Sequence, residues 1–322
     1  MRSRAATADS RLSFWLRVRE YAVPPSMVES ATARRRVGDR AGACAAARVD
    51  VDLSLRSLAR DHGRELAAMV RADLRQLAPD LLRWHLPRVA PDGLLRPGVT
   101  IALARYDTGD GVVHLVVRTP PGWADAGQRI SLALWDRAGP CRHPHPHPDR
   151  RFRLDLHRHL WDARRSDELR TRCGADRPAV PSADPLRERG CAVDRWAAEA
   201  AILLRAQGRT AGTVTVRLWG RRRLLLRVGP ATARGDTAPV LPDAATWTLP
   251  DLELLRAGLI DADRLHPLVA AALVPDRVRA AARRAAGLPD RGGPVSTGGP
   301  GDGVAARVDQ GGAPRGRLTV RM

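Results

Sequence analysis

Apolar residues recur at steps of three and four between Arg64 and Leu77. Leu66, Met69, Val70, Leu74 and Leu77 fall on one side, while Arg71, Asp73 and Arg75 face away. That is the period of an amphipathic helix. Residues Ala31–Val49 give two shorter helical runs around a Gly38-Asp39 turn, a helical hairpin. Residues 1–92 therefore read as a helical bundle whose core Trp84 and Leu86 close. From Pro97 the period drops to two, with Val99, Ile101 and Leu103 alternating with Thr100, Ala102 and Ala104. The turn Asp107–Gly111 then leads into Val112–Arg118, the pattern of a β-hairpin. Ile130, Leu132 and Leu134 predict a third strand, and Phe152, Leu154 and Leu156 a fourth.

The pattern then repeats in a smaller form. A charged, proline-rich stretch over 161–192 reads as a linker, and Val193–Arg205 returns to helix. Thr213–Trp219 and Arg223–Val228 alternate around Gly220-Arg221-Arg222 as a second hairpin. Thr248-Leu249-Pro250-Asp251 looks like a capping-box start, Gly258 like a helix C-cap, and a further helix begins near Pro267. Beyond Gly287 the Gly/Pro/Ser-rich chain predicts a disordered tail. The fold class is α+β. An N-terminal helical bundle (1–92) precedes a small antiparallel β-sheet region (93–160) and the 161–192 linker. A C-terminal helix–hairpin–helix unit (193–286), able to share the sheet, and the tail (287–322) follow. The hairpin at 31–49 resembles one tetratricopeptide unit, but no second copy occurs, and a solenoid needs about three; an ordinary helix pair is expected.

Composition changes the picture mainly by exclusion. All 54 basic residues among the 322 are arginine; lysine and asparagine do not occur. A Walker-type P-loop, a Schiff base, a carbamylated-lysine metal bridge, a glycosylation sequon and a Cys-His-Asn triad each need one of those side chains. The bias toward arginine, alanine, glycine and proline is that of a high-GC bacterial genome, so arginine richness alone is not a nucleic-acid signature. The net charge of +19 is also spread, with 17 arginines against 11 acids in 1–95 and 15 against 8 in 161–230. No run reaches the 18 or so apolar residues of a membrane span. No signal peptide is expected at the N-terminus, and four cysteines without a C-x-x-C pair fit a reduced cytoplasmic chain.

Five of the nine histidines lie between residues 143 and 159. In His143-Pro144-His145-Pro146-His147 the prolines favour polyproline II, which would splay the imidazoles apart. In the expected strand Phe152–His159, Asp155, His157 and His159 share one face, and residues two apart lie about 6.5–7 Å from each other. That D-x-H-x-H string of oxygen and nitrogen donors suits zinc, iron or manganese. The ten residues Leu154–Ala163 (LDLHRHLWDA) resemble the metal-binding strand of amidohydrolases, PHP-type phosphoesterases and adenosine deaminases. The resemblance implies further histidines and an aspartate downstream, of which only His266 is available as a histidine.

Nucleophilic chemistry has little to work with. There is no G-x-S-x-G elbow, and the nearest Cys–His approach is Cys141 beside His143. The Gly-rich Ser296–Gly303 stretch has no strand before it and no helix after it, so it is not a phosphate loop. At the second hairpin, Arg217, Trp219, Arg221, Arg222, Arg223 and Arg227 combine arginine forks with one stacking aromatic. The apolar helix at Pro267 offers nothing to read base edges, which removes a helix-turn-helix. The leading reading is a non-catalytic cytoplasmic interaction or accessory protein, without a cofactor, whose basic, Trp-containing surface meets an acidic protein partner. The alternatives are a metal-dependent hydrolase using Asp155, His157 and His159, and an RNA or single-stranded DNA binder using the Arg/Trp hairpin. No membrane partner is expected.

Overall fold

A computed structural model describes residues 2–109, 111–124, 127–137, 143–178, 184–230, 238–286 and 318–319. Helices α1 (Arg2–Tyr21), α2 (Pro25–Arg36) and α3 (Arg40–Ala46) open the chain, and a short strand β1 (Val49–Asp52) follows. Helices α2 and α3 form the expected hairpin: Gly38 adopts φ +81°, and the Asp39 carboxylate caps α3 through the Gly42 amide. Helices α4 (Leu55–His62), α5 (Arg64–Gln76) and α6 (Pro79–His85) complete the N-terminal region. On α5 the expected stripe buries Leu66 and Val70, with Leu77 buried just beyond its end, whereas Met69 is exposed and Ala67 is buried in its place.

A two-residue ladder, β2 (Arg88–Val89) with β3 (Leu94–Leu95), precedes the main sheet. That sheet contains β4 (Thr100–Thr108), β5 (Gly111–Arg118) and β6 (Ile130–Asp136), antiparallel neighbours as expected. Its order is β1-β6-β5-β4, and β1 runs parallel to β6. The alternation does not announce β1. It is only four residues long, and just Val49 of Val49–Asp52 is buried.

The fourth strand expected at 152–156 does not form. Residues Phe152–Trp161 make successive turns and a 3₁₀ turn at Arg158–Leu160. The alternation there misleads because both sides are buried: Phe152, Leu154, Leu160 and Trp161 face the core, and His157 and His159 are also enclosed. One isolated bridge, Ala102 to Arg153, ties the segment to the β4 edge. The stretch read as a linker also packs. It carries α7 (Leu169–Cys173), whose Leu169 is 1% exposed, and α8 (Pro185–Glu188).

Helix α9 (Val193–Arg205) and the hairpin β7 (Gly212–Arg217)–β8 (Arg223–Val228) fall where the pattern places them. They do not join the main sheet. Strand β7 pairs with β8, and β8 with a short β9 (Leu318–Thr319), as a separate three-stranded sheet. Both edges of the main sheet are otherwise engaged, by β1 with its outward Asp50 and Asp52 and by the Arg153 bridge. Charged, short edges resist further pairing. The rest of the tail expected to be disordered lies outside the described residues.

Helices α10 (Asp243–Thr246), α11 (Pro250–Arg256), α12 (Pro267–Leu273) and α13 (Pro275–Ala285) finish the described chain. The capping box expected at Thr248 is not made: Leu249 is the N-cap of α11 and supplies no side-chain bond. Asp251 instead turns inward, where Arg19 binds it through two nitrogens at 2.8 and 2.7 Å. One buried cluster joins Leu58, Leu81, Ile101, Leu132, Trp161 and Val269, so helices and main sheet share it. A second, around Trp196, Leu203, Val216 and Leu226, lies between α9 and the second hairpin. Among the described residues, no helix is long and apolar enough to cross a membrane.

Candidate functional site

The histidine-bearing segment 152–160 is held in shape by Trp161, wholly buried, whose indole N–H donates to the Leu154 carbonyl at 3.1 Å. This closed loop brings the His157 and His159 rings to 5.7 Å between centroids. Asp155 does not join them. Arg153 grips its carboxylate through Nε and Nη2 at 2.8 and 2.6 Å, and the Asp155 amide donates to the β4 edge at Ala102. The shared strand face required for a D-x-H-x-H cage is thus absent.

His157 has another carboxylate. Its Nδ1 lies 2.9 Å from the Arg153 carbonyl, and its Nε2 stands 3.3 Å from Glu199 Oε2, an ion-pair distance. Both ring nitrogens therefore face protein oxygens, although Nε2 makes no hydrogen bond. Glu199 is bound in turn by Arg172 through Nε and Nη2, each at 2.6 Å. Burial alone would raise the Glu199 carboxyl, but the neighbouring His157 and Arg172 reverse this and hold it at about 2. Burial drives His159 the other way, well below the usual histidine range, with His157 and Arg172 adding to the effect.

Glu199 and Arg172 escape a reading of the local string because they come from α9 and α7. A signal did exist. Trp196, Glu199 and Leu203 fall on one stripe of α9, and an acid on an otherwise apolar stripe must find a partner when buried. His266, the downstream histidine, pairs with Asp80 instead and does not complete a set with His157. Among the described residues, no group of three or more His, Cys, Asp or Glu side chains is placed to hold a metal ion.

The His-Pro run is strapped across the sheet and not splayed. His143 and His145 rings lie 6.2 Å apart, and His147 meets Trp135 at 5.7 Å. Backbone and neighbouring groups override the polyproline II bias: the Thr100 hydroxyl donates to the His145 carbonyl at 2.6 Å. Cys141 lies outside the described residues. The other thiols are poor nucleophiles, because burial pushes Cys44 and Cys173 up to about 11 and Cys191 to about 12.

The second hairpin has a clear division of faces. Val214, Val216 and Leu226 are buried against α9, whereas Thr213, Thr215, Arg217, Arg223, Leu225 and Arg227 occupy the opposite face. Arg217 stands directly across from Arg223, and Arg227 across from Thr213. Arg221, Arg222, Arg223 and Arg227 are exposed, and Arg217 is half-buried. None of these five arginines is paired with a carboxylate among the described residues. Trp219 does not offer a free stacking face. The Arg189 guanidinium lies 4.3 Å from its ring centroid, and the ring packs on the second core. The site residues Arg217, Trp219 and Arg221–Arg223 are thus brought together, with the aromatic already occupied. No known protein family, curated protein or solved structure matches the chain.

Proposed function

We propose that this chain is a non-catalytic cytoplasmic accessory protein that docks an acidic protein segment on the open face of the β7–β8 hairpin. The observation that carries the reading is the direct cross-strand placement of Arg217 against Arg223, without a described carboxylate at either. Like charges directly opposite each other destabilise a sheet. A hairpin that keeps such a pair, with Arg227 and the turn arginines beside it, gains from an external anion. Exposed Leu225 between the arginines adds an apolar contact of the kind a peptide side chain can meet. The occupied ring of Trp219 favours carboxylates over bases, because single-stranded nucleic acid binding draws on stacking at free aromatic faces. Free, high-pKa thiols at Cys44, Cys173 and Cys191 fit a reducing compartment and supply no nucleophile.

The test is fluorescence anisotropy with a labelled Glu/Asp-rich peptide and a labelled U-rich RNA oligonucleotide. The chain is compared with its Arg217→Gln, Arg223→Gln, Arg227→Gln triple variant. The peptide is expected to bind in a salt-dependent manner, and the triple variant to lose about tenfold or more, as removal of charge-assisted contacts does. Equal peptide affinity in the two proteins, or tighter binding of the RNA than of the peptide, overturns the reading.

A further inference from the structure

A cavity of about 390 Å³ lies between α1, α6, the 152–160 loop, α7, the start of α9 and the segment before α11. It is remote in function from the hairpin face, and its size is within the range of small-molecule sites. Apolar and aromatic side chains make most of its wall, including Trp15, Trp84, Phe152 and Trp247. Within this wall the polar groups divide into two sets.

The first set is satisfied by the protein itself. Arg19 is bound to Asp251 and stacked on Trp84, with its guanidinium carbon 4.5 Å from the ring centroid. Arg11 is paired with Glu253, and Arg172 with Glu199. These cations are anchored and form the frame of the cavity.

In the second set each side chain keeps one buried nitrogen without a hydrogen bond. The Arg195 guanidinium makes no ion pair among the described residues, and its Nε is buried without a hydrogen bond. Arg88 reaches only carbonyl oxygens, those of Arg83 and Gly93, and its Nε is likewise buried and unbonded. Burial without a counter-charge, helped by nearby Arg83 and Arg19, depresses Arg88 to about 9. Two imidazole nitrogens are in the same condition. His159 is 3% exposed, and its Nδ1 has no partner. His85 Nδ1 lies 3.1 and 3.2 Å from the Leu81 and Leu160 carbonyls, which fixes the proton there. Its buried, unbonded Nε2 is therefore a lone pair.

Leaving a buried polar group without a partner is costly, and more so for a charged group. Four such groups around one apolar cavity are costly for the empty fold, and they are complementary to a ligand. The guanidiniums call for negative charge, and the tryptophans for a flat apolar body. We infer that the cavity binds a small aromatic organic anion, with Arg195 and Arg88 as its charge partners. Arg195 is the best single handle. It sits on the first turn of α9, half-buried, with its stem against Gly174 at the end of α7.

The probes are 1-anilinonaphthalene-8-sulfonate and its uncharged analogue N-phenyl-1-naphthylamine, titrated by fluorescence against the whole chain. The sulfonate is expected to bind one per chain and to be displaced by indole-3-acetate but not by indole. Arg195→Gln should weaken the sulfonate about tenfold or more, the scale of a lost charged hydrogen bond, while binding of the uncharged probe stays unchanged and reports an intact cavity. Ala192→Trp, which fills the cavity from its wall, should abolish binding of both. The inference is overturned by any of three results: sulfonate affinity unchanged in Arg195→Gln, no displacement by indole-3-acetate, or both probes retained in Ala192→Trp.

Discussion

His266 donates its Nε2–H to Asp80 across 3.0 Å, and both side chains are wholly enclosed. The tautomer is set by the other nitrogen, because His266 Nδ1 accepts the Leu268 amide at the start of α12. A neutral imidazole thus caps one helix while it holds a buried carboxylate on α6, 186 residues away. Burial would raise Asp80, but the His266 bond holds it below the usual carboxylate range. Among the described residues, the other side-chain bond to this carboxylate comes from the Thr32 hydroxyl at 3.3 Å. His266→Ala should therefore cost about 3–5 kcal/mol, the scale of a buried charge stripped of its partner. Urea denaturation measures it, and a loss below about 1 kcal/mol would show that water replaces the imidazole.

Glu199 makes stability depend on acid. Its carboxyl is held at about 2 in the fold, against 4.5 for the ordinary side chain. The unfolded chain therefore takes up the proton first as pH falls. The contribution is full above about pH 4.5 and is lost progressively toward pH 2, a total of about 3 kcal/mol. Glu199→Gln should lower stability at pH 7 and flatten the profile in that window. Parallel profiles for the two proteins would contradict the Arg172–Glu199–His157 arrangement as its source.

The thiols give a chemical check on packing. Burial, the main cause of their raised pKa values, leaves Cys44 and Cys191 with almost no thiolate at pH 8 and little access. Mass mapping after iodoacetamide treatment of native protein should find both unmodified, and both modified in denaturant. Labelling of Cys191 in the native state would mean that the core beneath the second hairpin opens.

The arginine pair on that hairpin predicts opposed effects of a single change. Arg223→Glu converts a like pair into an opposite one across from Arg217, and should stabilise the chain by about 0.2–1 kcal/mol. The same change should weaken the acidic peptide. Denaturation midpoints and peptide anisotropy on one sample measure both. A variant that is less stable than the parent refutes the strained-pair argument.

Several elements were legible from periodicity alone. The β7–β8 hairpin and α9 stand where their apolar residues place them, because each has one face toward a core and one toward water; the β4–β5 hairpin forms as well, although Thr100–Ala104 are buried on both faces. The failures share a cause as well. At 152–159 both apolar residues (Phe152, Leu154) and polar ones (His157, His159) are buried, so alternation no longer distinguishes a strand from a packed loop. At Thr248–Asp251 a local capping reading lost to a distant one, since Arg19 and the Trp84 indole bind Asp251 more fully than a helix start could.

The amino-acid sequence by itself determined the α+β class, the hairpins with their one-sided arginines, and the chemistries that a lysine-free chain does not carry. Those features are local: they follow from side-chain period, turn residues and composition. The tertiary structure alone decided which groups meet. It gave His157 the carboxylate of Glu199 in place of Asp155, withdrew His266 to Asp80, and left Arg195 and His159 in a cavity wall, each with one buried nitrogen without a hydrogen bond. Burial is the reason. Once water is excluded, every polar group must find whatever donor or acceptor the packing brings near, and sequence separation no longer limits the choice.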